Sequence, residues 1–382
     1  MIYEGDAYKK IMANKGTPIQ WIIKINDQSI PLTSIKAFPT IASALYTDEF
    51  SLGNVASSCF EMTYLPTVAP PRRARVDVSF KIVGKVDGAT TTIIRKIGTW
   101  YINSRSTDKH GWLTIQCYDM VVRLDNYTVK KAAKKVGYTP LTYPLTTFDI
   151  TYIAQELTGL AAPYPQLDDV ASFTKDDLSQ KTMREALGYA ALQNGVNLIC
   201  DHDMSAFKVQ SWQEDQFDIF YLLTDDGNVG GERLLSHDGE PIVFMDWTNA
   251  CQTIRPRWAG EICILGRYDP ISAVKITGKE SDDADNEWTA DFNLFDGATM
   301  EIDYPFDNAS EDVAYAILDK VERFQYTGWN ATGVLFDPAI QVGDPVMVDG
   351  IPCVVAETHA TLGPTYLADC GAAADYEIKG EI

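Results

Sequence analysis

The clearest alternation of hydrophobic and polar positions in this chain lies in residues 93–124. Two stretches there, Ile93–Ile102 and Trp112–Tyr118, are rich in the β-branched and aromatic residues that are typical of strands. The second stretch alternates strictly, as an antiparallel strand with one buried face does. Asn103–Gly111 between them is polar and ends in glycine, which indicates a hairpin connection. We therefore predict a β-hairpin, after which the two-residue period is lost at Met120–Leu124.

Short strands also dominate the rest of the first 125 residues. Three further stretches have strand composition: Thr17–Ile25, Cys59–Leu65 and Arg75–Ile82. Pro66–Arg73 is predicted to be a rigid loop, because proline cannot donate a ladder hydrogen bond. Helical periodicity is almost absent, so this region favours a small β-barrel or sandwich.

The hydrophobic period becomes helical near residue 147. Apolar residues recur at helical spacing in Ile150–Leu157, and Gly159 is placed to end that helix. A second helix is marked by Thr182 and Glu185, which fit a capping box. Two strand-like stretches follow it. We therefore predict a linker and then a compact α+β unit within residues 126–213.

The rest of the chain returns to strand patterns around one further helix. Asn308 is predicted to cap that helix, with Glu311 three residues later and an apolar stripe that continues to Phe324. The predicted fold is a β-rich α+β chain with two small β-barrel domains, each carrying an accessory unit. The predicted boundaries are residues 1–125 for the first barrel, 126–213 for the α+β accessory domain, 214–303 with 333–382 for the second barrel, and 304–332 for a helical insertion.

Composition limits the class of protein and its compartment. The 382 residues are 46% hydrophobic and 22% charged, which is ordinary for globular domains with sizeable cores. No stretch approaches 18 consecutive apolar residues, so we expect no membrane span, and the N-terminus lacks the apolar run of a secretory signal. Seven cysteines lie singly, with no Cys-x-x-Cys spacing, which predicts reduced, mostly buried thiols in a protein made in a cytoplasm.

Charge is divided unevenly along the chain. The net charge is −21, yet residues 1–140 hold 19 Lys and Arg against 11 Asp and Glu, whereas residues 141–382 hold 13 against 42. One interpretation is a solvated, soluble surface. The other is that one end meets an acidic partner while another lines a surface that must not retain nucleic acid. The predicted linker carries a local basic cluster: Lys130, Lys131, Lys134 and Lys135. That cluster lacks interleaved aromatic residues in sequence, which disfavours nucleic-acid binding.

No catalytic or metal-binding constellation is recognisable. His202 lies in an Asp-His-Asp turn without a second histidine at ligand spacing, and His237 lies in a Ser-His-Asp-Gly turn rather than a triad assembled in space. We therefore expect no enzyme activity, no metal and no cofactor. The densest acidic run lacks the glycine and terminal glutamate of a calcium loop, which favours an exposed loop at an interface or channel over a calcium site. Its acidic residues are Glu280, Asp282, Asp283, Asp285 and Glu287.

Four short motifs, in this order, resemble the tail hub proteins of bacteriophages. The hairpin resembles that family's Gly-Thr-aromatic-Tyr-Ile strand followed by its Thr-Ile-x-Cys-Tyr-Asp strand. Lys181–Ala191 is similar to its Arg-Glu-Ala-Leu helix, and Phe336–Val346 to its Asp-Pro-x-Ile-Glu-x-Gly-Asp-x-Val strand. Glu357–Thr365 resembles its closing Thr-His segment, with Leu362 in place of phenylalanine and Pro364 in place of glycine. The motif positions that we single out are Gly98, Trp100, Tyr101, Tyr118, Asp119, Arg184, Glu185, Gly343 and Asp344.

The resemblance implies a structural hub at a tail tip or baseplate. In such hubs two β-barrel tube domains per subunit assemble as a homotrimer, so that six barrels form a pseudo-hexameric ring continuing the tail tube. Accessory domains hold the spike, the central fibre or other distal tail and baseplate proteins, and DNA passes through the channel without specific binding. The implied location is the virion, after assembly in the host bacterial cytoplasm. Relatives often continue into a hydrolase or fibre, whereas we expect no such extension after Ile382.

Other classes of function stay open beside the hub. A carbohydrate- or cell-surface-binding tail protein would use some of the eight Trp and nineteen Tyr, although most of them fall in strand patterns where packing accounts for them. A cell-wall hydrolase is disfavoured because no nucleophile or metal signature is present. A contractile-tail effector device or a tailocin, which is not an infectious phage, would share the hub fold.

Overall fold

The computed structural model describes residues 6–12, 17–46, 50–164, 166–201, 205–210, 218–221, 243–246, 251–278, 287–291, 297–306 and 309–372.

The first part of the chain forms one helix and seven strands. They are α1 Asp6–Met12, β1 Gln20–Ile25, β2 Gln28–Ser29, β3 Thr40–Ala44, β4 Ser58–Tyr64, β5 Arg75–Val86, β6 Ala89–Thr107 and β7 Leu113–Tyr118. The predicted hairpin is present as β6 and β7, but the predicted connection at Asn103–Gly111 is too long. Strand β6 continues to Thr107, which pairs with Leu113, because the polar side chains of this stretch face water while its backbone still pairs. Helix α1, which the sequence analysis did not predict, buries Tyr8 and Ile11.

The middle part contains four helices and three strands. They are α2 Val129–Val136, α3 Thr147–Thr158, β8 Ala161–Tyr164, α4 Lys175–Leu178, α5 Met183–Gln193, β9 Asn197–Cys200 and β10 Ala206–Gln210. The capping box of Thr182 and Glu185 and the helix end at Gly159, with φ +79°, are confirmed. The predicted linker is corrected, because α2 lies within it. Apolar residues spaced from Val129 to Val136 give that helix a buried side, and Gly137 ends it in the left-handed conformation.

The last part contains twelve strands and one helix. They are β11 Asp218–Tyr221, β12 Val243–Asp246, β13 Gln252–Ile254, β14 Glu261–Arg267, β15 Ile271–Thr277, β16 Glu287–Asp291, β17 Ala298–Asp303, α6 Glu311–Val321, β18 Thr327–Leu335, β19 Pro345–Val348, β20 Ile351–Val354, β21 Glu357–Leu362 and β22 Tyr366–Ala372. The cap of α6 is Ser310, whose hydroxyl accepts from Val313 N, and not Asn308, which lies outside the described residues. Phe324 is buried but follows the end of the helix.

One sheet of eleven strands unites the two ends of the chain. Its order is β14-β18-β22-β21-β3-β4-β7-β6-β5-β1-β2, and every neighbouring pair is antiparallel. The junction is β3 against β21, with Ile41 opposite Ala360 and Ala42 opposite His359. The predicted β-rich α+β class is confirmed, whereas the division into two barrels and the four domain boundaries stay predictions.

Alternation along the strands separates a packed side of this sheet from a polar side. The packed side carries large side chains that are at most 2% exposed, among them Phe60, Phe80, Trp100 and Trp329. Burial of each such side chain stabilises the fold by about 1.5–3 kcal/mol. Smaller sheets lie beside the large one in the orders β8-β10-β9, β13-β19-β20 and β16-β15-β17, and a β11-β12 pair completes the described strands. Helix α6 packs on β15 and β16.

Candidate functional site

The polar side of the eleven-stranded sheet, here called the outer face, carries the charged residues of its strands. Every second residue of each strand points to it, as the two-residue period of a strand requires. Its charges are segregated. The strands around the β3–β21 junction carry the acidic half of the outer face: Glu61, Glu261, Glu357 and Asp369. The strands towards β1 carry the basic half: Lys24, Arg75, Lys81 and Lys96.

An open cleft of about 1140 Å³ lies over the acidic half, between the sheet and α5. Glu261, Glu357 and Asp369 line the sheet wall, and Arg184 and Glu185 line the helix wall. His359 also lines the cleft and lies directly opposite Asp369 in the β21–β22 ladder. Carboxylates outnumber cationic groups in this cleft, so its potential repels a polyanion rather than holding it.

The basic half is anchored by Asp77 at its centre. Arg75 Nε lies 2.6 Å and Lys96 Nζ 3.5 Å from its carboxylate, and Thr99 Oγ1 donates to it at 2.5 Å. Although burial acts to raise it, the pKa of Asp77 is held below its usual value by Thr99, Arg75 and Lys96. Asp77 therefore stays ionised and fixes Arg75 and Lys96 in place at neutral pH.

The motif residues of the hairpin form a packed hydrogen-bonded group. A Cβ atom on Gly98 would lie 2.2 Å from the Trp100 ring, so only glycine leaves room for that ring. The Trp100 ring stacks on Phe60 at 5.5 Å, and its Nε1 donates to Ser58 Oγ at 2.9 Å. Ser58, which no sequence motif marked, thus connects the hairpin to the next motif residue.

Asp119 is that next residue, and it is 3% exposed. Its carboxylate accepts from Ser58 N at 2.6 Å, Ser58 Oγ at 3.0 Å and Val121 N at 3.0 Å. Burial raises the pKa of Asp119 to about 6, although these hydrogen bonds and the charge of Arg184 act to lower it. The carboxylate fixes the turn after β7, which leads into the middle part of the chain.

The next two motif residues hold α5 in position. Arg184 Nε lies 2.9 Å from Asp125 Oδ1, an ion contact at an angle too poor for a hydrogen bond. Glu185 accepts from Thr182 N at 2.7 Å within the capping box. Tyr101 and Tyr118, the remaining hairpin motif residues, lie directly opposite each other on the outer face.

Gly343 and Asp344 join the last part of the chain to β10. Gly343 has φ +87°, and a Cβ there would lie 2.5 Å from Gln210 Cδ, so the turn needs glycine for both reasons. Asp344 accepts from Gln341 N at 2.9 Å and lies 3.0 Å from Lys208 Nζ. Strand β19 begins directly after this turn, at Pro345.

The motif residues therefore lie at joints between segments and not in one reactive site. The sequence could mark Gly98, Trp100 and Asp119 as motif positions, but it carried no local signal for Ser58 or for the β3–β21 junction. Only the fold brings those residues together.

The predicted acidic loop is described only at its end. Glu280, Asp282, Asp283 and Asp285 lie outside the described residues, whereas Glu287 lies on β16 with its carboxylate 2.9 Å from Lys275 Nζ. His202 and His237 also lie outside the described residues.

The remaining reactive side chains of the described residues are scattered. There, no group of three His, Cys, Asp or Glu side chains is arranged to hold a metal ion. All seven cysteines are described and are free thiols; Cys117, Cys200, Cys353 and Cys370 are buried, and Cys263 is exposed. No helix in the described part of the chain has both the length and the apolar character needed to cross a bilayer.

Comparison with known proteins gives only distant structural likenesses. No protein-family profile matches the chain, and no curated protein matches its sequence. The prophage tail protein gp18 from Listeria monocytogenes EGD-e overlaps with a TM-score of 0.43 and 10% identity, over 92% of this chain and 94% of that one. A chain of the lidless PdpA-VgrG complex overlaps with a TM-score of 0.42 and 8% identity, over 94% of this chain and 65% of that one. A chain of the half-lidded Francisella PdpA-VgrG complex gives 0.43 and 10%, over 94% and 58%. At these TM-scores the likenesses assign no function.

Proposed function

We propose that this protein is a structural hub of a phage or phage-like tail, a homotrimer whose ring joins the tail tube to a spike, central fibre or other tip protein. The observation that carries the proposal is the single antiparallel sheet that contains strands from both ends of the chain. Two of the four motifs that resemble tail hubs lie in that sheet, on β6, β7 and β21, and the other two lie at joints between segments. The role is structural, and no enzymatic step is part of it.

The edges of the sheet support closure into a ring. Among the described strands the sheet ends at β14 on one side and at β2 on the other, and β2 pairs only with Lys24 and Ile25 of β1. Within one copy the start of β1 is already bonded, since Ile19 N donates to Pro364 O at 3.2 Å. Among the described strands, β14 is therefore the edge that a neighbouring copy can approach. A closed ring removes exposed strand edges, which otherwise template aggregation.

The eleven-stranded sheet curls within one copy, because the Trp21 ring on β1 lies 5.4 Å from the Tyr366 ring on β22. Only part of its outer face can therefore border a central channel in the proposed ring.

The acidic half of the outer face supports passage of DNA without retention. Duplex DNA carries about one negative charge per 1.7 Å, and each contact from lysine or arginine adds salt-dependent affinity. A lumen that contains Glu61, Glu357 and Asp369 repels the duplex and lets it slide. The acidic half of the outer face is therefore assigned to the lumen in this proposal.

The first test is electron microscopy of the purified protein and of its particle, with mass measurement alongside. The proposal expects a three-fold ring of three chains with a central channel. A monomer that is also missing from every tail tip would refute the hub and favour the carbohydrate- or cell-surface-binding alternative.

A second test probes the lumen. The Glu61→Lys, Glu357→Lys and Asp369→Lys changes, combined, should slow or block DNA ejection from assembled particles because they place three cations on the DNA path. A matched control reverses three exposed acids away from the large sheet, Glu156, Glu301 and Asp303. Equal ejection rates for the two triple variants would show that the acidic half of the outer face does not line the lumen.

A further inference from the structure

Helix α2 presents a basic surface to which the described part of the chain supplies no ion-pair partner. Its apolar residues Val129, Ala132 and Ala133 are buried, so the opposite side of the helix faces water. That side carries four exposed lysines whose side chains form no ion pair or hydrogen bond with another described residue: Lys130, Lys131, Lys134 and Lys135.

An exposed aromatic row continues this surface beyond the end of α2. The Tyr138 hydroxyl donates to Asp149, and the Tyr138 ring lies 5.6 Å from that of Tyr152. The Tyr152 ring is stacked with Phe148 at 6.5 Å. Phe148 is 60% exposed and Tyr152 is 37% exposed. No aromatic residue lies within the lysine cluster in sequence, because these rings come from the loop after α2 and from α3.

Helix α6 instead presents an acidic surface to water. Its water-facing side carries Glu311, Asp312 and Asp319 around Tyr315, which is 39% exposed. Lys320 pairs with Asp319 and leaves an excess of negative charge. A hollow of about 350 Å³ lies beside Tyr315 and Asp319, and Asp168 and Val170 also line it. Ala316, Asn194 and Lys320 complete the lining of the hollow, so its walls are partly apolar. An acidic rim beside these walls complements a basic rim around an exposed phenylalanine.

Within one copy the two helices are attached to different ends of α5. The start of α2 is joined to the N-terminal end of α5, since Val129 N donates to Lys181 O at 3.3 Å. Helix α6 packs at the C-terminal end, where a Cβ on Gly195 would lie 2.8 Å from Lys320 Cβ. Eleven residues of helix separate these points by roughly 16 Å. Among the described residues no ion pair links α2 to α6.

We propose that the surface formed by α2, Tyr138, Phe148 and Tyr152 binds the acidic surface around α6 of a second copy of this chain. Phe148 is the apolar anchor and the hollow beside Tyr315 receives it, while the lysines meet the acidic rim. This inference rests on the proposed ring, because unlike surfaces on identical chains associate head to tail.

The test is a charge swap in the full-length protein. The Lys134→Glu/Lys135→Glu variant and the Glu311→Lys/Asp312→Lys variant should each weaken self-association by roughly tenfold at low salt. The variant that carries all four changes should recover most of the loss, because the reversed charges attract again. The matched control is Lys85→Glu/Lys109→Glu, two exposed lysines elsewhere. Sedimentation velocity at several concentrations measures association, and circular dichroism shows that each variant is folded.

The outcomes separate this contact from the ring itself. Failure of the four-change variant to recover, or reversal variants that associate as the wild type does, would overturn the α2–α6 contact, while three-fold rings in the same samples would leave the hub standing. Loss of binding to vesicles of anionic lipid or to single-stranded DNA on lysine reversal, with self-association unchanged, would also overturn it and assign the surface to that ligand. If the wild-type protein forms no ring even with its tail partners, the hub and this contact fail together.

Discussion

Replacement of Gly98 by alanine offers a sharp test of how the sheet is packed. The added Cβ would lie 2.2, 2.6 and 2.7 Å from three atoms of the six-membered ring of Trp100. That ring cannot move freely, since it is 2% exposed, stacked on Phe60 and held to Ser58 Oγ at 2.9 Å. The clash must therefore be relieved by shifting packed side chains or the strand itself.

The size of the effect follows from two contributions. Overpacking a well-packed core costs about 1–3 kcal/mol. Displacement of the indole also breaks the hydrogen bond to Ser58, which contributes about 1 kcal/mol. We expect the Gly98→Ala change to lower the free energy of unfolding by about 2–4 kcal/mol, measured by urea unfolding followed by far-ultraviolet circular dichroism.

Two companion variants make the reasoning refutable. Gly266→Ala is the matched control in another strand of the same sheet, because the nearest atom to its added Cβ is 4.0 Å away. It should change stability by less than about 1 kcal/mol. Trp100→Phe removes the ring atoms that the Cβ would meet, so Gly98→Ala should cost less in that background. An equal cost in both backgrounds, or a Gly98→Ala cost no larger than that of Gly266→Ala, would show that the contact with Trp100 is not the cause.

Two further predictions concern the joints between segments. The pKa of Asp119 is about 6, above its ordinary value of 3.8, so the folded state binds the proton more tightly and this group's contribution to stability falls as pH rises through that window. The wild type should therefore lose up to about 3 kcal/mol relative to Asp119→Asn between pH 4 and pH 7, and parallel curves of unfolding free energy against pH would contradict this. Gly343→Ala should lower the free energy of unfolding by about 2–5 kcal/mol, from left-handed strain and the clash with Gln210. Gly350→Ala, at the same φ of +87° with open space around it, should cost only the strain of about 1–2 kcal/mol, and equal melting temperatures for the two variants would refute the clash.

Elements that depend on local hydrophobic periodicity were predicted correctly from the sequence. The alternation in Trp112–Tyr118 gave the strand and its buried face, and the threonine–glutamate pair at residues 182 and 185 gave the start of α5. Both depend on residues within one turn or one strand. The misplaced helix cap at Asn308 shows the limit, since Ser310 offers the same chemistry two residues later.

What the sequence could not predict depends on contacts between distant residues. The pairing of β3 with β21 leaves no local trace, and neither does the path from Trp100 through Ser58 to Asp119. Helix α2 was missed because four lysines in eight residues obscured its short apolar side. The aromatic row beside it was missed because Tyr138 and Phe148 are separated by a loop with two prolines.

The pairing of β3 with β21 also sets the time at which this chain can finish folding. Ala42 finds its partner only when His359 has been made, and a ribosome adding 5–20 residues per second needs roughly 15–65 s for that interval. Until then the edge of β3 that faces away from β4 has no strand beside it. Contacts of such long sequence separation also form slowly. A truncated chain would never acquire both halves of the sheet. The large sheet can therefore form completely only when nearly the whole chain has been synthesised.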